Sequence, residues 1–185
     1  MGKHFFLREA LRSFKSTGAI ASSSPALIKK LIEPIPVGRD LVIVELGPGD
    51  GCVTKQLLRK LGVEAQVYAF EINESFISIM REIKDDRLKV IPHGAERMSD
   101  FLMAGSVDYV VSSLPLSMIP KEIKEEILRQ AQQVLKPNGR FLQYQYALQD
   151  YSLLKDYFNN VNVKFTLANL PPAFIYTCSL GLGVG

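Results

Sequence analysis

Apolar residues recur along this chain with two different spacings, one helical and one of strand type. From Lys3 to Lys15, residues Phe6, Leu7, Ala10, Leu11 and Phe14 fall on one face at about 100° per residue, with Arg8, Arg12 and Lys15 beside them. That pattern predicts an amphipathic helix ended by Gly18. Ser24 before Pro25 reads as a second helix start, with serine as N-cap and proline at the first helical position. Ala26 to Glu33 supply this helix, and Pro34, Pro36 and Gly38 close it. From residue 41 the rhythm changes to alternating strands and helices, the pattern of a mostly parallel sheet covered on both faces. The predicted strands are 41–46, 66–71, 88–91, 106–113, 140–147, 161–168 and 173–180, and the helices between them are 51–61, 74–84, 120–134 and 151–158. Lys136-Pro137-Asn138-Gly139 is a strong turn ahead of the fifth strand. Only Asn169-Leu170-Pro171-Pro172 separates the last two strands, so they are expected to be antiparallel neighbours. Residues 1–36 therefore read as a helical arm and 37–185 as one α/β domain.

Composition sharpens this division. The 185 residues are 47% hydrophobic and 22% charged, enough to bury a core and too apolar for disorder. The net charge of +3 conceals an asymmetry: residues 1–40 hold seven basic and three acidic groups, whereas the remainder is balanced at −1. This argues against a uniformly basic nucleic-acid binder and points the arm toward something anionic. Cys52 and Cys178 lie far apart, without a CxxC or Cys/His cluster, so neither a disulfide framework nor a metal site is expected, and a cytoplasmic compartment is the default. Arg8, Glu9 and Arg12 interrupt any signal-peptide core. The uncharged stretch 165–185 is long enough to span a membrane, but Asn169, Pro171, Pro172 and its late glycines make it a poor helix, and it reads as a buried strand pair.

The strongest chemical signal is Glu45-Leu46-Gly47-Pro48-Gly49-Asp50-Gly51, where the first strand hands over to a helix. Glycines there allow a sharp turn and close approach to a ligand, and the helix N-terminus behind them offers free N–H groups. A dinucleotide loop of the form GxGxxG would need glycine at position 52, which is Cys52. An acid at Glu45 would also repel a pyrophosphate. It suits a ligand that carries an ammonium and a sulfonium, and S-adenosylmethionine has both. Glu71 ends the second strand 20 residues beyond Gly51, where a carboxylate can accept hydrogen bonds from ribose hydroxyls.

The Glu45–Gly51 loop, Glu71, the fourth strand and the Leu135–Gly139 turn resemble the class I S-adenosylmethionine-dependent methyltransferases. That resemblance implies a Rossmann-like, doubly wound, seven-stranded sheet with an antiparallel last strand. It also implies a cofactor site drawn from Glu45, Gly47, Gly49, Gly51, Glu71, Ala95, Glu96 and Ser112. Many relatives have Asp where this chain has Gly94, so either Glu96 takes over the contact to the adenine amino group or the contact is absent. Following the fourth strand, Ser112-Ser113-Leu114-Pro115-Leu116 lacks the Asn and the aromatic residue of enzymes that methylate base amines, with Ser113 and Leu116 in their places. It is similar instead to the Ser-x-Leu-Pro-Leu pattern of bacterial phospholipid N-methyltransferases. Gly18–Ser24, Gln143-Tyr144-Gln145-Tyr146 and Asn169–Ala173 resemble further segments of that group.

The implied activity is methylation of the amine of phosphatidylethanolamine at a membrane surface, with Leu114, Pro115 and Leu116 binding substrate and Ser113 and Tyr146 as candidate catalytic residues. For the tyrosines the competing reading is core packing, and for Ser113 turn formation. The arm helix 3–16 has the apolar face and cations for peripheral docking on the inner membrane face, or equally for packing over the cofactor site or meeting RNA. Two other functions stay open: an rRNA adenine N6-methyltransferase, and a catalytically silent cofactor-binding module.

Overall fold

A computed structural model describes residues 24–181. The predicted arm helix and the Gly18–Ser23 part of its sequel lie outside the described residues. Helix α1 (Pro25–Leu31) starts as its sequence requires: Ser24 is the N-cap, its hydroxyl accepting a hydrogen bond from the Leu27 amide at 3.1 Å. Leu27, Ile28 and Leu31 are fully buried, each contributing roughly 1.5–3 kcal/mol of transfer free energy. The second half of the sequence-defined arm is thus packed into the core of the α/β unit.

Strands β1 (Val42–Leu46), β2 (Gln66–Phe70), β3 (Leu88–Ile91), β4 (Val107–Ser112), β5 (Leu135–Gln145), β6 (Asn160–Thr166) and β7 (Ala173–Ser179) form one sheet in the order β3-β2-β1-β4-β5-β7-β6. All pairings are parallel except those of β7, which runs antiparallel to both β5 and β6. Helices α2 (Cys52–Lys60), α3 (Glu74–Arg81), α4 (Lys121–Val134) and α5 (Tyr151–Tyr157) complete the expected seven-stranded Rossmann-like fold. Alternate residues of β1 serve opposite faces. Val44 and Leu46 join α4, Phe141 and Tyr176 in one core, while Ile43 joins α1, α2 and Leu142 in the other.

Two boundaries differ from the sequence pattern for clear reasons. Val107 pairs with Leu135 and Tyr109 with Arg140, so the Lys136–Gly139 turn is absorbed as an irregularity inside β5 and does not precede it. Lys136 is held there by an ion pair to Asp108, with Nζ and Oδ1 2.7 Å apart. The expected buried pair at the C-terminus is buried on one side only. Strand β7 is inside, flanked by β5 and β6, whereas β6 is the sheet edge and exposes Phe165.

Register sets the location of the functional loops. Leu46 lies opposite both Phe70 and Ser112, and Ser112 lies opposite Gln143, so β1, β2 and β4 end at one level of the sheet with β5 alongside. The glycine loop, Glu71, Ser113 and Tyr144 each stand one residue past that level, at the carboxyl ends of adjacent strands where open α/β sheets bind ligands.

Candidate active site

The glycine loop has the geometry that only glycine tolerates. Gly47, Gly49 and Gly51 have φ values of 68°, 57° and 77°. Gly47 is constrained twice, because a Cβ there would lie 2.7 Å from Leu114 Cδ2. The turn after β4 therefore touches the turn after β1. Gly51 is the N-cap of α2, and Asp50 Oδ1 accepts from the Cys52 amide at 3.1 Å.

Two carboxylates flank this loop in opposite states of satisfaction. Glu71 Oε1 accepts from the amides of Ile72 and Asn73 at 2.8 and 2.9 Å, and its Oε2 accepts from Gly49 N at 3.3 Å, which ties β2 to the glycine turn. Glu45 is fully buried. Its Oε2 accepts from Thr54 Oγ1 at 2.7 Å, and its Oε1 has no hydrogen-bond partner among the described residues. Burial pushes the Glu45 carboxyl up to about 8, only partly opposed by the Thr54 hydroxyl. An orphaned buried carboxylate oxygen beside a glycine turn is a fitting partner for an ammonium, and the donor set matches the methionine and ribose parts of S-adenosylmethionine. Folded Glu45 holds its proton more tightly than the usual carboxyl at 4.5, so its favourable contribution to stability is complete below that pH and is lost as pH rises through about 8. Thermal denaturation across this window should show Glu45→Gln gaining on the parent protein as pH rises. Parallel curves would mean that Glu45 is ionised in the folded protein.

Ala95 and Glu96 open a 3-10 helix, Ala95–Asp100. A Cβ added at Gly94 would collide with the Glu96 carboxyl group. The acid from position 96 thus fills the space that a side chain at 94 would take.

On the acceptor side, Ser113 donates its amide to Leu46 O at 2.9 Å, while its hydroxyl is buried without a partner among the described residues. Ser112 is fully buried and its Oγ accepts from Leu114 N at 3.3 Å. Leu114 and Leu116 are both in the core cluster, Leu116 completely buried, and Pro115 between them is the more open. Tyr146 falls one residue past the end of β5, not within it. Its ring meets Tyr144 edge to face with centroids 5.9 Å apart, and its hydroxyl accepts from Asn169 Nδ2 at 3.5 Å. Half-burial raises the Tyr146 phenol above its ordinary value, so near neutral pH it is a hydrogen-bonding group and not a phenolate.

Three further groups complete the arrangement. Thr54, in the first turn of α2, orients Glu45. Gln143 Nε2 donates to Leu114 O at 2.9 Å and so clamps the turn that touches Gly47. Asn169, besides reaching Tyr146, accepts the Ser24 amide on Oδ1 at 3.0 Å. A Thr two residues into a helix carries no sequence signal of its own. Gln143 and Asn169 stand in segments with a family resemblance, but their partners are 29 and 145 residues away. No cluster of three or more metal-ligating side chains occurs among the described residues, and none of their helices is long and apolar enough to cross a membrane.

Loops gathered at the carboxyl ends of the strands, a triple-glycine turn after β1 and a buried acid after β2 are the layout of a Rossmann-like ligand site. Residues 43–139 match the family described as a methyltransferase domain, and the chain belongs to it as a class I S-adenosylmethionine-dependent methyltransferase. An ornithine lipid N-methyltransferase of Singulisphaera acidiphila is 33% identical, over 95% of this chain and 96% of that protein. A ribosomal RNA small subunit methyltransferase A of Thermotoga petrophila is 32% identical over 62% of this chain, but the match spans only 42% of that protein. Among solved structures, a Burkholderia thailandensis 1,6-didemethyltoxoflavin-N1-methyltransferase with S-adenosylhomocysteine bound has the same fold. It is 15% identical with a TM-score of 0.71, covering 94% of this chain and 86% of that one.

Proposed function

We propose that this methyltransferase acts on nitrogen, and that its acceptor is the primary amine of a membrane lipid headgroup, with phosphatidylethanolamine as the expected substrate. The observation that carries this reading is the match to an ornithine lipid N-methyltransferase along nearly the full length of both chains. The acceptor turn agrees with it: Ser113 to Pro120 contains no aromatic side chain on which a nucleic-acid base could stack.

In this reading the cofactor's ammonium favours ionisation of Glu45 and pairs with it, Gly47, Gly49 and Gly51 cradle the methionine portion, and Glu71 takes the ribose. Ala95, Glu96 and Ser112 border the remainder. The cofactor supplies a methyl carbon already activated by sulfonium, so the chain's task is positioning and desolvation. A lipid ammonium has no lone pair until it loses a proton, and removal from water lowers its pKa. Ser113 and Tyr146 orient the neutral amine by hydrogen bonds, and Leu114, Pro115 and Leu116 form the apolar wall that excludes water. The arm helix, residues 3–16, brings cations and aromatic groups to the anionic inner face of the membrane.

The test is methyl transfer from labelled S-adenosylmethionine to phosphatidylethanolamine vesicles, ornithine lipid vesicles and ribosomal RNA in parallel. Label in phosphatidylethanolamine is expected. Label in ornithine lipid alone moves the headgroup assignment to that lipid, and label in RNA alone overturns the lipid reading.

A further inference from the structure

The turn between β6 and β7 is firmly built yet turns its large apolar side chains outward. Asn169 is buried, its Oδ1 accepts from Ser24 N, and its Nδ2 donates to Pro171 O at 3.0 Å as well as to Tyr146. Ser24 Oγ donates to Ala168 O at 2.5 Å, and Ala168 N donates to Thr166 Oγ1 at 3.1 Å. The backbone is therefore held from three sides. Against this, Phe165, Leu167 and Leu170 are 58%, 76% and 86% exposed within six residues of chain. Single exposed leucines are ordinary, but three large apolar groups on one anchored turn form a patch that asks for an apolar partner.

Charge identifies the partner. Residues 165–181 carry no charge, and among the described residues the cations bordering the turn are Lys164, which is exposed, and Lys30, exposed on α1 with Nζ 2.9 Å from Thr166 Oγ1. The bordering acid, Glu33, is 4.0 Å from Lys164 Nζ, where both side chains are mostly solvent-exposed and the pairing is weak. Apolar tips with two lysines beside them, outnumbering the one acid, fit the boundary between anionic headgroups and acyl chains.

We propose that the β6–β7 turn is an interfacial docking loop, with Leu167 and Leu170 entering an anionic bilayer and Lys30 and Lys164 meeting lipid phosphates. This rests on the lipid-amine reading and adds a surface within the α/β unit itself, distinct from the arm helix 3–16. Through Asn169 the loop is hydrogen-bonded to Tyr146, so insertion would seat the acceptor side directly over the headgroups.

The chain contains no tryptophan, so Leu170→Trp introduces a single indole reporter into the full-length protein. Vesicles of phosphatidylglycerol and phosphatidylcholine should shift its emission to the blue, and brominated acyl chains should quench it. Leu167→Ser with Leu170→Ser should weaken vesicle binding by on the order of tenfold without lowering Tm. Methyl transfer to detergent-solubilised lipid should stay at the parent level in that double variant. An indole that remains water-exposed while the protein co-sediments with vesicles overturns the proposal and leaves docking to the arm alone. An indole already blue-shifted before vesicles are added also overturns it, since the turn is then covered by the protein's own arm or a second copy. Failure of the lipid-amine reading is separately visible: no lipid is labelled in vesicles or micelles, whatever the indole reports.

Discussion

Gly47→Ala should reduce S-adenosylmethionine affinity and turnover together, by on the order of a hundredfold, the scale expected when a positioning element is displaced by about 1 Å. Two costs coincide at this residue. A φ of 68° puts an L-residue in the left-handed region at roughly 1–2 kcal/mol. The new methyl would also press on Leu114 Cδ2 from 2.7 Å. Leu114 cannot simply swing away, because it is packed in the core and its backbone is tied by Ser112 Oγ at its amide and by Gln143 at its carbonyl. The cofactor turn and the acceptor turn must therefore move together. Two other glycines separate the causes. At Gly49, with φ of 57°, an added Cβ would be 3.9 Å from the Phe76 ring, and at Gly38, with φ of 69°, it would meet nothing within 4 Å. Gly38→Ala should cost some stability and leave the cofactor affinity intact, and Gly49→Ala should fall between the two. Calorimetric titration with thermal denaturation decides the matter: equal affinity losses at 47 and 49 would mean that the contact between the two turns is unimportant.

Glu71→Ala should cost nearly as much by a different route. The carboxylate accepts from three backbone amides, those of Ile72, Asn73 and Gly49. Its removal leaves these donors without the acceptor that orders two loops, and hydrogen bonds to a charged group contribute about 1.5–3 kcal/mol each. Both a lower Tm and a loss of cofactor affinity of tenfold or more are expected from the alanine variant on that basis. Glu71→Gln keeps one carbonyl oxygen for the amides of 72 and 73, so Tm should largely recover. Its cofactor affinity should remain weakened, because an amide is a poorer acceptor for ribose hydroxyls than a carboxylate. If the glutamine variant binds the cofactor as well as the parent protein, the role of Glu71 is confined to holding its own loop.

The strand and helix alternation was legible because each element announces itself locally. Ser24-Pro25 and the glycines from 47 to 51 are start signals whose partners lie within a few residues. The glycine turn and its two carboxylates stand out for the same reason, since Glu45, Gly47–Gly51 and Glu71 sit at the ends of the adjacent strands β1 and β2. The turn at Lys136–Gly139 was visible too, but not its incorporation into β5, which depends on pairing with β4 from Val107 onward. Likewise, nothing in the apolar run after residue 160 distinguishes the edge strand from the interior one. Strand order does, by placing β7 between β5 and β6.

By itself, then, the amino-acid sequence determined the class of fold, the glycine turn, the two carboxylates flanking it and the charge imbalance of the arm. All of these follow from backbone preferences and short-range spacing. Tertiary structure decided what those groups do to one another. It buried Glu45 so that desolvation pushes its carboxyl up to about 8 against the opposing Thr54 hydroxyl, brought Leu114 against Gly47, and joined Ser24 to Asn169 across 145 residues of chain. It also left Leu167 and Leu170 on the outside of an anchored turn. Desolvation and long-range hydrogen bonds depend on which surfaces meet when the sheet closes, and a local pattern of residues does not encode that.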